Sequence, residues 1–276
     1  MKPRATAGPV DCRAIEAHQR ELAERWTRVQ GGEVRSDDDM LLFVVGEPVP
    51  WTNGVHVARL QPDRADARIS EAVSAFRRHG VPAMWWLGPS SLPADLGRRL
   101  LAHGFRPGPT LPWLGRNIDG FPHAGLPDGV EGRRVDSRQL QAAWLEAMRL
   151  GFGMDPAVTV AIARLADAVG WEEDAPWQRF VALERGRPVG SSGLMLSERM
   201  AGIYNVATVP ALRRRGVASA MTSLAIGRAG ELGYATAVLA AEGVAIHVYE
   251  GLGFHPICEI RSFVLDAAPG KPVSSR

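Results

Sequence analysis

Several large classes of protein are excluded by what the sequence has little of. Only two of its 276 residues are cysteine, Cys12 and Cys258. They are too few and too far apart for a disulfide framework or a metal knuckle, and this fits a reducing compartment. The seven histidines show no paired ligand spacing such as HExxH, so no metal is expected. A net charge of +2 gives no global field toward nucleic acid or an anionic membrane, and any basic site must be local. The longest apolar run, residues 40–45, is too short for a bilayer, and residues 1–20 contain no apolar signal core. The expected location is the cytoplasm. Lysine occurs only at Lys2 and Lys271; the excess of arginine reads first as a coding bias, so an arginine cluster weighs less here than elsewhere. There is no P-loop or dinucleotide fingerprint. Gly190-Ser191-Ser192-Gly193 is no nucleophile elbow, because a strand follows it.

The chain does have a core's worth of apolar residues (46%) and a surface's worth of charge (22%), and a length that accommodates two domains. A Pro/Gly-rich stretch at 115–129 separates two segments with helix and strand signals. The expected organisation is a first domain at 1–120, a linker at 121–129, a second domain at 130–266 and a mobile polar tail at 267–276.

In the second segment the periodicity predicts a strand at 130–135, then a helix capped by Ser137 with Leu140, Trp144, Leu145 and Met148 on one face. Gly151 and Gly153 break it before a helix at 156–169. Strands at 180–183 and 189–196 flank the turn Arg185-Gly186-Arg187, and a third runs over 203–208. A helix at 214–232, a strand at 235–240, a short helix at 244–249 and a strand at 262–265 complete the order βααβββαβαβ. The first segment repeats the rhythm: a helix at 12–29, strands at 40–45 and 55–60, a helix at 65–79, a strand at 83–87 and a helix at 93–102. That last helix leads into His103-Gly104-Phe105, which matches Leu252-Gly253-Phe254 near the end of the second segment. Two diverged copies of one α/β mixed-sheet fold are expected.

The segment from Thr208 to Ser219 joins a strand to a helix through a basic loop with one glycine. Unpaired N–H groups in a helix's first turn, together with its dipole, make an anion site, and Gly216 lets the backbone approach a pyrophosphate. On this loop alone, a solvated arginine-rich helix start explains the residues as well.

These residues resemble the GNAT superfamily of N-acetyltransferases, whose signature is Arg or Gln, two residues, Gly, one residue, then Gly or Ala. Arg213-Arg214-Arg215-Gly216-Val217-Ala218 matches each fixed position, and Pro210 sits where the family usually has proline. Downstream, Ala245, Tyr249, Leu252, Gly253 and Phe254 match the family's ending. The resemblance implies two GNAT-like domains, the first degenerate, with the fourth and fifth strands of the second splayed so that the pantetheine arm of acetyl-CoA lies between them. Backbone of Val206, Ala207 and Thr208 would contact that arm, and amides from Arg214, Arg215, Gly216, Val217, Ala218 and Ser219 would hold the pyrophosphate. Arg213 would brace the loop or touch the phosphates, and Tyr249 would protonate the departing thiolate. The implied reaction moves the acetyl group of acetyl-CoA, without a metal, to a primary amine of a small molecule or peptide. Neither nucleic acid nor membrane is expected as a partner, and a homodimer is left open.

Other readings stay open beside these. Tyr249 on a short helix beside Phe254 is also explained by core packing. Glu242 stands where the family often has asparagine; it keeps an acceptor role, acts as a base, or is an exposed glutamate near a helix start. Candidates for the base are Tyr204, Asn205, Glu172, Glu173 and Glu242. Phe152, Met154, Trp171 and Trp177 are candidates for the acceptor groove or for core. In the first copy, residues 60–72 have nothing like the signature, and Asp63 and Asp66 are expected to cap the helix amides and repel phosphate, which predicts one acetyl-CoA per chain. From another class, a non-catalytic acyl-CoA-binding or regulatory protein would retain the same fold. A tRNA-dependent aminoacyl transferase is disfavoured by the near-neutral charge and the intact phosphate loop.

Overall fold

The computed structural model describes residues 10–121 and 123–267; Pro122 and most of the expected tail lie outside the described residues. Its elements follow the predicted order in the second half, and the first half adds two strands that the periodicity does not predict, at Glu33–Ser36 and Arg106–Asn117. The first half contains α1 (Cys12–Val29), β1 (Glu33–Ser36), β2 (Leu41–Val44), β3 (Asn53–His56), α2 (Ala65–His79), β4 (Ala83–Leu87), α3 (Leu96–Ala102) and β5 (Arg106–Asn117). The second contains β6 (Val130–Arg134), α4 (Arg138–Phe152), α5 (Pro156–Val169), β7 (Trp177–Glu184), β8 (Arg187–Leu196), β9 (Ala201–Thr208), α6 (Val217–Glu231), β10 (Thr236–Ala240), α7 (Ala245–Gly251) and β11 (His255–Leu265). Ser137 caps α4 by accepting from Leu140 N, as its place before the apolar periodicity predicts.

Three expectations are corrected at the element ends. The Pro/Gly-rich separator read from 115 begins later, because β5 runs to Asn117 and pairs Gly115 with Val238. The last strand is not confined to 262–265 but starts at His255. Helix α6 begins at Val217, and the arginines that precede it form a loop after a 3-10 turn at Pro210–Leu212. In each case strand pairing or a glycine in the left-handed region sets the boundary, and neither is visible in hydrophobic period alone.

The chain forms two compact units. Among the described residues, one comprises 12–111 and 258–267, the other 10–11 and 112–257. The cuts therefore differ from the expected break at 121–129. In the first unit the strand order is β1-β2-β3-β4-β11, with β3 and β4 parallel and β11 antiparallel to β4, Arg261 opposite Leu87. In the second it is β5-β10-β9-β8-β7-β6, with β10 and β9 parallel and β5 antiparallel to β10. Each half's final strand thus completes the sheet built from the other half's residues.

The internal repeat holds in atomic detail. After α3, Gly104 (φ 89°) and Phe105 donate backbone N–H bonds to Leu101 and Leu100; after α7, Gly253 (φ 79°) and Phe254 donate to Glu250 and Tyr249 at the same spacing. Both are helix endings that need a left-handed residue, which is why glycine stands at both. The alignment sets fully buried Leu100 of the first copy against Tyr249 of the second. Each unit has its own core: Leu42, Val55, Ile69, Phe76 and Trp85 in the first, and Leu114, Ile203, Met221, Leu239 and Phe254 in the second.

Candidate active site

Strand β9 has two different edges. Toward β8 it is paired along its length. Toward β10 it pairs at two positions only, Ala201 with Ala237 and Gly202 with Val238. From Ile203 to Thr208 its β10 side is an open edge, with main-chain donors and acceptors available to an extended ligand. The opening has a local cause. Ser191 faces Ala207 and Gly193 faces Tyr204, so β9 carries one residue more than β8 between them. This bulge is taken up by Asn205 at φ 55°, a conformation asparagine tolerates better than most residues. Ser191 Oγ holds it by donating to the Asn205 carbonyl at 2.8 Å. Asn205 Oδ1 and Thr208 Oγ1 are buried without hydrogen-bond partners among the described residues.

Beyond Thr208 the chain turns into the basic loop. Arg214 (φ 62°) and Gly216 (φ 84°) are both left-handed, and a Cβ on Gly216 would meet open space. Glycine is needed there for its conformation, with the free side open to a ligand. No side chain caps α6, so the amides of Val217, Ala218 and Ser219 keep their bonding capacity at the positive end of the dipole. Arg213 Nη2 donates to the Gly151 carbonyl at 2.9 Å, Arg215 pairs with Glu184 at 3.2 Å, and exposed Arg214 has no partner among the described residues. Of the three arginines, Arg213 is the brace and Arg214 the open cation.

Tyr249 lies on α7, 7% exposed, edge-on to Phe254 at 6.1 Å. Burial pushes its hydroxyl up to about 12, and that hydroxyl has no partner among the described residues. It is packed, as the bland reading expects, and it also keeps its proton. Glu242 is exposed in the turn that follows β10, ahead of α7 and outside its first turn.

The candidate bases are scattered. Burial raises the Tyr204 hydroxyl, which keeps it protonated and unfit to take a proton. Glu173 pairs with Arg228, at the far end of α6 from Gly216, roughly 18 Å along the helix axis; it and its neighbour Glu172 are not brought to the loop. Trp177 is buried against Trp144 and under the Arg179 guanidinium, so it is core and lines no groove. Phe152 is exposed at the end of α4, where Gly151 packs on Ala207 and Thr208.

One residue near the open edge was not singled out from the sequence. Trp113 on β5 packs edge-on to Tyr204 at 6.2 Å, with its Nε1 buried and without a hydrogen-bond partner among the described residues. No local pattern marks it, since only the pairing of β5 with β10 carries it there.

The corresponding slot in the first copy is closed. Strands β3 and β4 pair at Gly54–Met84 and Val55–Trp85, and beyond them the chain's own backbone fills the gap: Leu92 N donates to Ala58 O and Leu60 N to Leu92 O, both at 3.0 Å. The expected carboxylate caps are absent. Helix α2 has no side-chain cap, and Asp66 instead bonds Arg99 and His103, because two cationic or polar partners outcompete an amide for it.

Residues 144–254 match the model of the acetyltransferase (GNAT) family. Over that stretch the chain is similar to the GNAT family. No curated protein matches the chain in sequence. Among solved structures its fold is similar to a GCN5-related N-acetyltransferase from Kribbella flavida, 17% identical, covering 93% of this chain and 97% of that one with a TM-score of 0.68. It is also similar to one from Sphaerobacter thermophilus, 17% identical over 97% of both chains with a TM-score of 0.60. A third is a tandem GNAT protein from the clavulanic acid biosynthesis pathway, 13% identical over 93% and 95% with a TM-score of 0.59. The GNAT match spans the bulged strand, the basic loop and α7, so the open edge, the uncapped helix and Tyr249 all lie inside it.

Proposed function

We infer that the chain transfers an acetyl group from acetyl-CoA to a primary amine by direct attack within the GNAT domain. The observation that carries this reading is the open β10-facing edge of β9 leading directly into the uncapped start of α6. An extended pantetheine arm suits the backbone of Val206, Ala207 and Thr208. A pyrophosphate suits the amides from Arg214 to Ser219 with the Arg214 guanidinium beside them, while Arg213 and Arg215 hold the loop's shape. The unpartnered buried oxygens of Asn205 and Thr208 support a polar ligand along this edge.

In the reaction the amine nitrogen bonds to the thioester carbonyl carbon and the carbon–sulfur bond breaks. The amine loses one proton and the sulfur gains one. Tyr249, kept protonated by burial, donates to the thiolate. Glu242, an exposed carboxylate with no ion pair among the described residues, takes the amine's proton directly or through water.

The test is thiol release from acetyl-CoA across amino acids, polyamines, aminoglycosides, arylalkylamines and peptides, with acetyl-CoA titrated onto the wild type and onto Gly216→Asp and Gly216→Asn. Both substitutions meet the same left-handed backbone, so a loss of affinity of about a hundredfold in the aspartate variant beyond that in asparagine isolates the charge. Equal affinity in the two would remove the phosphate assignment. Acetyl-CoA binding with no acceptor in the panel would favour the acyl-CoA-binding reading.

A further inference from the structure

We propose that the open edge of β6 pairs with the same edge of a second copy of this chain, antiparallel and centred on Gly132. Strand β6 ends its sheet: β7 pairs it on one side and, among the described residues, no strand pairs it on the other. The alternation of an antiparallel ladder tells which backbone groups face that free side. Val135 N donates to Arg179 O at 2.8 Å, so residues 131 and 133 also bond toward β7. The next ladder agrees, because Leu196 N donates to Pro176 O and the even-numbered residues of β7 are thereby turned to β8. Gly132 and Arg134 therefore direct their N–H and C=O groups outward, as does the Val130 carbonyl. The Val130 N–H is taken by Pro127 O at 3.0 Å.

The side chains select the partner and the register. Glu131 and Arg133 are exposed, and neither has an ion-pair partner among the described residues. In a two-fold antiparallel pair centred on Gly132, residue 131 of each copy stands opposite residue 133 of the other. Both cross-strand pairs then join a carboxylate to a guanidinium, at the non-hydrogen-bonded positions where side chains lie closest. Main-chain bonds form beside them, from Gly132 N–H to Gly132 O and from Arg134 N–H to Val130 O, each in both directions. Sliding one strand by two residues sets Glu131 against Glu131 or Arg133 against Arg133, which repel. Charges on an edge strand ordinarily block such pairing; here their order, acidic then basic about a central glycine, makes the edge self-complementary. The axis also has an apolar side. A Cβ on Gly132 would lie 2.5 Å from Leu224 Cδ1 and 3.0 Å from Leu126 Cδ1, and both leucines are half-buried. A second copy brings a matching pair of leucines over the paired glycines and buries both sets.

The mass of the full chain in solution tests this, by sedimentation equilibrium and by light scattering after size exclusion. The wild type is expected at about twice the 29.8 kDa chain mass at concentrations up to about 0.1 mM. Glu131→Arg and Arg133→Glu each set like charges opposite one another on both sides of the axis, and each should weaken the dimer at least about tenfold. The double variant Glu131→Arg/Arg133→Glu exchanges the charges and should restore the dimer to within a few-fold of wild type, a recovery that damage to the fold would not produce. All three variants are expected to keep the far-UV circular dichroism of the wild type, since both side chains are exposed. A wild type that stays monomeric, single variants that dimerise as well as the wild type, or a double variant that does not recover the dimer would each overturn the proposal.

Discussion

At Tyr249 the packing of one side chain also sets the state of its proton. The ring is core, set against Phe254, and the same burial moves its hydroxyl from the ordinary 10 up to about 12. Because the folded-state value lies above the unfolded one, the stability linked to this group is intact below pH 10 and is lost as pH rises from 10 to about 12. The hydroxyl therefore remains a donor up to about pH 12, beyond the point at which an alkylamine begins to lose its proton. Tyr249→Phe keeps the packing and removes the proton. It should lower kcat by roughly a hundredfold while acetyl-CoA affinity stays within a few-fold, and the basic limb of the pH profile below pH 10 should keep its shape. Full turnover in the variant would leave Tyr249 with packing alone. The first copy has Leu100 at the equivalent turn, a side chain with no proton to give.

At the scale of elements, the contrast lies between two parallel strand pairs. In the second copy β9 leaves β10 after Gly202, and its outer edge stays open; in the first, the chain around Leu92 returns between Ala58 and Leu60 and closes the equivalent gap. Main-chain groups that already bond each other give a pantetheine nothing to gain. One acetyl-CoA per chain is thus expected for a backbone reason, and the carboxylates at the start of α2 have no part in it as caps. Isothermal titration counts the sites. A stoichiometry near two, or binding that persists undiminished in Gly216→Asp, would contradict the single slot.

At the scale of the whole molecule, the two final strands decide what can fold alone. The sheet of the unit spanning 112–257 needs β5, whose Leu114 is fully buried, and the residues just after it, Ile118 and Phe121, enter the same core. A fragment beginning at 130 would lose these three side chains, each worth roughly 2 kcal/mol of burial, and would bare the β10 edge to aggregation. That sum is comparable to the whole stability of many domains. Fragment 130–276 should therefore show no cooperative thermal transition by circular dichroism and should aggregate in size-exclusion chromatography. A soluble monomer with a sharp transition would show that β5 is dispensable.

The sequence by itself determined the order of the second half's elements and all of the first half's but β1 and β5, because hydrophobic period, Ser137 as a cap, and the glycines at 104 and 253 are local signals acting over a few residues. It also determined the basic loop and the tyrosine, since the matching motifs place fixed residue types at fixed spacing. Pairing between distant strands was decided only by tertiary structure. Hydrogen bonds between main chains carry no residue-specific signature, so the exchange of β5 and β11, the arrival of Trp113 beside Tyr204 and the closure of the first slot by Leu92 leave no local trace. The same holds for which charges remain open. Arg213, Arg214 and Arg215 read alike in sequence, and only Gly151 and Glu184, brought in from distant parts of the chain, occupy two of them and leave the third exposed to a ligand.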